Sequence, residues 1–286
     1  MLQKLGRKTA FLGKVGYDSF GTLLRKTISE IGIDSAGLIT DPKIHTTLAF
    51  VHLDEHGDRS FSFCRNPGAD MMLDVSELRE DIIRNAKIFH FGTLSMTSEL
   101  IRNTTKRAIE VTKESGCIIS FDPNLRPPLW DSMDTAKEMI LYGISQCDIL
   151  KISEDELTFI TGIEEIPIAA EAIKKEYPSI KVMFVTLGKD GSSFYYKGQR
   201  GFRKIFNCVK TIDTTGAGGT FCGCMLHALL DKDLDNLNYD DLMEAITFGN
   251  AASSLVTTEK GAIKSMPDLD EVMVLIELSV IERIRS

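Results

Sequence analysis

The chain has no stretch approaching the ~20 consecutive apolar residues that a membrane helix needs. Its opening, Met1-Leu-Gln-Lys-Leu-Gly-Arg-Lys, lacks the apolar core of a signal peptide. A soluble, cytoplasmic protein with no membrane partner is expected. Basic residues are outnumbered, 33 Lys and Arg against 41 Asp and Glu, which leaves a net charge of −8 and a pI near 5.3. A nucleic-acid surface needs clustered Lys and Arg to track phosphates, so a nucleic-acid partner is excluded and small-molecule chemistry fits better. The six cysteines, Cys64, Cys117, Cys147, Cys208, Cys222 and Cys224, include no Cys-x-x-Cys. Three of them sit in apolar runs, which suits reduced, buried thiols rather than a disulfide framework or a zinc site. Neither a Walker A pattern nor a Gly-x-Gly-x-x-Gly after a strand occurs, which excludes a P-loop or a nicotinamide-dinucleotide site by motif. No internal repeat, low-complexity segment or Pro/Ser-rich linker marks a boundary. Residues 1–286 are therefore expected to form one domain with a small appendage.

Strand-length apolar runs alternate with amphipathic helical periods. A strand is expected over Thr9–Lys14 and a helix over Ser19–Ile31. Helix, strand, helix and strand follow over Ser76–Asn85, Ile88–Phe91, Thr97–Ser115 and Cys117–Phe121. The same alternation predicts a helix over Asp134–Ser145, a strand over Asp148–Ile152, helices over Glu154–Thr161 and Ala169–Tyr177, and a strand over Lys181–Thr186. Such a pattern argues for a mainly parallel, doubly wound sheet covered on both faces, an α/β fold. Thr47–Leu53 and Arg59–Phe63 alternate with period two around Asp54-Glu-His-Gly-Asp58, which reads as a hairpin. His52 and His56 are four apart, but on a strand and a turn they diverge, so no metal pair is expected there. Ser192–Tyr196 and Gly201–Phe206 read as a second hairpin, Tyr239–Thr257 as a helix, and the tail from Pro267 as another.

The stretch with the strongest chemical content is Thr211-Ile-Asp-Thr-Thr-Gly-Ala-Gly-Gly-Thr-Phe221, followed by the apolar pattern Cys222–Leu230. A β-branched run that passes through glycines and opens a helix leaves backbone N–H groups pointing at one place, where the helix dipole adds positive charge. That makes an anion site; a tight turn with glycines present for geometry alone accounts for the same residues. In open α/β sheets ligands gather beyond the carboxyl ends of the strands. Three such ends carry polar residues: Asp122-Pro-Asn124-Leu-Arg126, Lys151-Ile-Ser153-Glu154-Asp155-Glu156, and Thr186-Leu-Gly188-Lys-Asp-Gly191. In the second, Ser153 and Glu156 have the spacing of a capping box, which explains them without chemistry.

The Thr211–Phe221 stretch resembles the signature of the ribokinase-like (PfkB) carbohydrate kinases, Asp-Thr-x-Gly-Ala-Gly-Asp-x-Phe, at every fixed position but one. Where that signature has the Asp that acts as general base, this chain has Gly219. The resemblance runs from Lys4 to about Pro267. It narrows at Arg65-Asn-Pro-Gly-Ala-Asp70 to the fructokinase branch, with bacterial fructokinases the expected nearest relatives, whereas Asp122-Pro-Asn-Leu-Arg126 with the following Trp130 is shared with ketodeoxygluconate kinases and does not separate the two. It implies an αβα sandwich with a partial β lid, the lid hairpin spanning about 44–66, and a homodimer paired through lid strands.

The implied reaction is transfer of a phosphoryl group from ATP to fructose, with Mg²⁺ and K⁺ as cofactors. By resemblance the amides of Gly216, Ala217 and Gly218 form the hole for the transferring group. Arg65, Asn124 and Arg126 are placed at the sugar or phosphates. Lys151, Ser153, Thr186, Gly188, Gly191, Asn250 and Gly261 are placed at the nucleotide, Glu156 at Mg²⁺ through water, and Asp213, Thr215 and Val256 at a monovalent cation. Three departures accompany Gly219: Ser153 stands for the family's Asn, Glu259 for an Arg, and matching begins only at Lys4, without the family's opening strand and its Gly-Gly-x-x-x-Asn helix. Impaired turnover is therefore expected. The alternatives are a 2-keto-3-deoxygluconate kinase, a non-catalytic nucleotide-binding relative, and a truncated or error-bearing reading frame of an ordinary member.

Overall fold

In the computed structural model the described residues are 1–53, 59–206 and 209–285. The polar turn 54–58, with His56, and Cys208 lie outside them. Two compact units divide the chain: residues 8–118 with 125–139, and residues 1–7, 119–124 and 140–286.

The first unit opens with strand β1 (Gly13–Gly16), helix α1 (Ser19–Glu30) and strand β2 (Leu38–Asp41). β1 and β2 pair in parallel, Gly13 opposite Leu38 and Gly16 opposite Asp41. β1 starts later than the expected Thr9–Lys14, and β2 is a strand that sequence periodicity does not reveal, because four residues carry too short a pattern. Asp18 caps α1, accepting the Gly21 N–H at 2.7 Å and the Thr46 N–H at 2.8 Å. The hairpin β3 (Leu48–Leu53) and β4 (Arg59–Cys64) is antiparallel and, among the described residues, pairs only with itself.

The expected helix 76–85 is instead a 3₁₀ turn, Val75–Glu77, and a short helix α2 (Glu80–Arg84). Asp74 and Glu77 cap the turn reciprocally, and Glu77 also accepts both of its contacts with Lys14 at 2.8 Å, which draws this segment away from a continuous helix. Strand β5 (Ile88–Gly92) and helix α3 (Glu99–Glu114) follow as expected. Ile83, Ala108 and Val111 form a buried cluster that Leu12, Leu78 and Phe89 cover.

The second unit holds strand β6 (Ile118–Asp122), the later part of helix α4 (Met133–Gln146), strand β7 (Ile149–Ser153), helices α5 (Glu154–Thr161) and α6 (Ile166–Glu176), and strand β8 (Val182–Thr186). An antiparallel pair, β9 (Ser192–Tyr196) and β10 (Gln199–Arg203), closes its sheet. Helices α7 (Ala217–Leu229), α8 (Tyr239–Val256) and α9 (Leu269–Arg285) complete it. In this unit the strands lie in the order β10-β9-β8-β7-β6, with β6, β7 and β8 parallel. Burial is nearly complete along β7 and β8, where Ile149, Leu150, Ile152, Val182, Met183, Phe184 and Val185 are all core residues. That is the apolar run a parallel strand covered on both faces requires. α7 and α8 approach closely through Gly249, where an added Cβ would lie 2.5 Å from Met225 Cε. No strand precedes α7 over 209–216, so the β-branched Thr211-Ile212 run reads as strand in sequence and is irregular in the fold. No helix among the described residues is long and apolar enough to cross a membrane.

Acid should destabilise the first unit through two carboxylates. The N–H groups of Gly21 and Thr46 hold Asp18 below the usual carboxylate range, and those of Ile44 and Lys43 do the same for Asp41. A carboxyl with a depressed folded pKa contributes stability in full above the unfolded value of about 3.9 and loses it as the pH falls through the lower folded value. Urea unfolding followed by the fluorescence of Trp130, the sole tryptophan, should show a falling midpoint below about pH 4. D18N should lower the midpoint at neutral pH and flatten that fall.

Candidate active site

The second unit gathers its polar residues where the parallel strands end and α7 begins. The Asp213 carboxylate organises the entry: it accepts the Thr215 N–H at 2.9 Å and the Gly261 N–H at 3.0 Å. The Ile212 and Asp213 N–H groups both donate to Thr257 O, next to Val256, at 2.7 and 3.1 Å. Of the four residues named for a monovalent-cation and nucleotide region, Asp213, Thr215 and Gly261 are thus joined through the Asp213 carboxylate, and Val256 precedes the Thr257 carbonyl that accepts the Asp213 N–H.

Gly216 then turns the chain into α7 with φ +90°, and a Cβ there would stand 2.9 Å from Ala262 Cβ. Both facts require glycine. No side chain caps α7, and the first-turn N–H groups of a helix have no intrahelical partner. Gly218 and Gly219 are exposed at this end. A Cβ at Gly219 would meet no atom within 4 Å and its φ is not in the left-handed region, so nothing in the backbone or its surroundings demands glycine at this position.

Beneath the helix start lies a buried charge cluster. Lys151 Nζ is 3.2 Å from Asp122 Oδ1, and the two side chains are only 7% and 8% exposed. The same ammonium is 3.5 Å from where a Cβ on Gly218 would be. Burial is the largest influence on both members and works against their charged forms. The Asp122 and Glu156 carboxylates nonetheless hold the lysine above its ordinary value, so it is a cation. Burial, with the neighbouring Glu156, pushes the Asp122 carboxyl above the usual carboxylate range. The Cys222 thiol faces the same cluster, and burial pushes it up, so it is an inert thiol rather than a nucleophile.

Asp122 is the residue that reading the sequence left unassigned. The fold supplies what the sequence does not: β6 and β7 pair with Phe121 opposite Leu150, and extending that register one step sets Asp122 beside Lys151.

The other candidates divide by what their side chains do. Ser153 and Glu156 form a full capping box, Ser153 Oγ accepting the Glu156 N–H and Glu156 Oε2 accepting the Ser153 N–H at 2.9 Å. Asn250, 2% exposed, accepts from Ser192 Oγ and donates to Arg203 O, both at 2.8 Å, so its amide ties α8 to the β9–β10 pair. Thr186 ends β8, and Gly188 and Gly191 shape the turn after it with φ +51° and +120°. An added Cβ at Gly191 would lie 2.0 Å from Arg203 O, which forbids any other residue. Asn124 is exposed in the left-handed region, φ +46°.

Arg65 and Arg126 belong to the first unit. Arg126 Nη1 donates to Leu125 O at 3.0 Å. The Arg65 side chain is buried and engaged with protein acceptors, as described below. No group of three or more His, Cys, Asp or Glu side chains is assembled as a metal site among the described residues.

A bare helix N-terminus over a buried lysine, at the carboxyl end of a mainly parallel sheet, defines a phosphate-handling α/β protein. Residues 1–269 match the model of the pfkB family carbohydrate kinases, and the chain belongs to that family. It is 42% identical over 278 residues to fructokinase-1 of Zea mays, covering 96% of this chain and 85% of the maize protein. Fructokinase-2 of Solanum lycopersicum is 40% identical over 274 residues, with 96% and 83% covered. Among solved structures, the Xylella fastidiosa fructokinase with bound ATP superposes with a TM-score of 0.88 at 29% identity, covering 98% of this chain and 88% of that one. The Vibrio cholerae O395 fructokinase with fructose, ADP and calcium bound gives 0.87 at 31%, covering 96% and 87%. These likenesses bear out the ribokinase-like fold. The two plant proteins match at higher identity than these two bacterial ones.

Gly216 and Gly219 should respond oppositely to alanine. G216A should lose about 1–3 kcal/mol of stability, from strain at positive φ and contact with Ala262. G219A should gain up to about 1 kcal/mol from helix propensity. Thermal unfolding of the two variants in parallel checks both signs.

Proposed function

We propose that this chain is a fructose kinase, taking the γ-phosphoryl group of ATP to the 6-hydroxyl of fructose, with turnover limited by the glycine at 219. The observation that carries the reading is the uncapped start of α7, Gly216 to Gly219, standing over Lys151 in a chain that matches a carbohydrate-kinase family over 1–269. Phosphoryl transfer asks a protein for positioning and charge stabilisation more than for covalent chemistry. The amides of Ala217 and Gly218 would meet the charge that develops on the transferring group, with the Lys151 ammonium beneath them. Thr186, Gly188, Gly191 and Gly261 would shape the nucleotide's surroundings, Ser153 and Asn250 acting by fixing α5 and α8 in place. Asn124 and Arg126 remain the candidates for sugar or phosphate contact, and hairpin 44–66 is assigned the part of lid within one kinase domain.

The residues present suit a magnesium ion. Mg²⁺ is held by one or two carboxylates with substrate phosphates and water rather than by a full protein cage. Asp122 and Glu156 supply two carboxylates against a single ammonium. When bound, the ion would be held by the Asp122 and Glu156 carboxylates and would supply positive charge against the phosphates. A monovalent cation, K⁺ by resemblance, would sit by Asp213, Thr215 and the Val256 carbonyl region.

What the chain does not supply at 219 is a proton acceptor. Loss of a general base slows a reaction by ~10²–10⁴-fold. An Asp at 219 meets no atom through its Cβ and falls in the first turn of α7, where a carboxylate is favoured by the helix dipole.

The test is fructose-dependent ADP formation from MgATP by the unaltered chain and by G219D. The expected result is weak or undetectable turnover by the former and a rise of at least ~10²-fold in the latter, with thermal stability unchanged or increased. Fast turnover by the unaltered chain would overturn the assignment of 219. Turnover by G219D with 2-keto-3-deoxygluconate but not with fructose would overturn the substrate. ATP binding without turnover of any sugar in either protein would favour a nucleotide-binding role.

A further inference from the structure

We propose that Arg65 is a positioning residue that anchors the root of the β3–β4 hairpin, rather than a ligand of the substrate. The residue follows the last residue of β4, and its side chain is only 4% exposed. Its guanidinium is engaged on three sides by protein acceptors. Nε donates to Asp70 Oδ2 at 2.7 Å, Nη1 to Thr97 Oγ1 at 2.8 Å and Nη2 to Leu94 O at 2.8 Å. Leu94 and Thr97 belong to the segment that follows β5.

Asp70 extends the anchor to the other strand. Its second oxygen accepts the hydroxyl of Thr47, the residue that precedes β3. The neighbouring Ala69 N–H donates to His45 O at 2.9 Å. Asp70 can come this close because position 68 is glycine: a Cβ there would stand 1.8 Å from Thr47 Oγ1 and 2.7 Å from Asp70 Oδ1. One guanidinium and one carboxylate therefore join both roots of the hairpin to the segment after β5.

The hairpin needs such an anchor. Two strands that pair only with each other are marginal in water. Phe50 and Val51 on β3 are 51% and 48% exposed, so packing along β3 leaves much apolar surface uncovered. The planar fork of arginine reaches three acceptors in fixed directions, which a lysine ammonium on a flexible stem does not reproduce. The N–H groups so engaged could reach a ligand only by first breaking the anchor.

The effect on substrate rests on the fructose-kinase reading above, in which this hairpin covers the sugar; the structural role does not. The test uses the full chain with R65M, R65K, D70N and T97V. Backbone amide exchange is read over 48–53 and 59–64, with 149–153 and 182–186 as internal reference, and fructose and MgATP affinities are measured by calorimetry. Exchange in the hairpin should rise on the order of tenfold in R65M and D70N, and less in T97V, while the reference strands stay unchanged. Fructose affinity should fall in the same order with MgATP affinity kept, and R65K should not rescue.

Unchanged hairpin exchange in both R65M and D70N would overturn the proposal. So would fructose affinity lost in R65M but kept in D70N and T97V, since that pattern belongs to an arginine touching the sugar. If the unaltered chain binds no fructose, the sugar-kinase reading fails, and the exchange data alone decide the role of Arg65.

Discussion

The structure of the second unit turns on keeping one ammonium ion charged out of water. Removing Lys151 from solvent carries a penalty of several kcal/mol unless opposite charge and hydrogen bonds replace the lost water. Asp122 supplies the first partner and Glu156 the second. That requirement fixes much else. β6 and β7 must be parallel neighbours in the observed register, so that the ends of the two strands carry Asp122 and Lys151 side by side. α5 must start where Ser153 and Glu156 can cap one another, since the capping box holds the Glu156 carboxylate near the cluster. α7 must begin above it without a side-chain cap, leaving amide hydrogens and an ammonium directed at the same region.

The first unit solves a similar problem without chemistry. Lys14, with a side chain 8% exposed, donates to Glu77 and to Met72 O and lies 3.3 Å from Asp41. This cluster joins β1, β2 and the turn at 75–77, and it offers no approach to a ligand in the way the α7 terminus does. The two lysines show why burial of a charged group does not by itself mark a functional site. What separates them is the neighbouring backbone: at Lys151 a bare helix end, at Lys14 a set of strand ends whose groups are already paired.

Much of this was legible in the sequence. Long apolar periods gave α1, α3, α5 and β5–β8 within a few residues, because a buried parallel strand and an amphipathic helix write their faces into the chain. The glycine-rich stretch and the capping residues of α5 announced the site. Short or irregular pieces were not legible. β2 has four residues, and Thr211-Ile212 has strand-like composition, but backbone bonds to Thr257 hold it as a loop. Side-chain commitments were hidden as well. Neither the enclosure of Arg65 nor the locking of Asn250 between Ser192 and Arg203 can be read from residue type, since both depend on contacts far apart in sequence.

The contrast between Gly216 and Gly219 bears on the history of this chain. A glycine at 216 is locked in by its backbone angle and by Ala262, so a lineage that lost it would have to rebuild the loop at 261–262 to recover. A glycine at 219 touches nothing, and some glycine codons are a single base from an aspartate codon. A lineage could lose and regain a carboxylate at that position without any compensating change elsewhere in the fold. The packing thus makes position 219 a reversible point in evolution, whereas 216 is not.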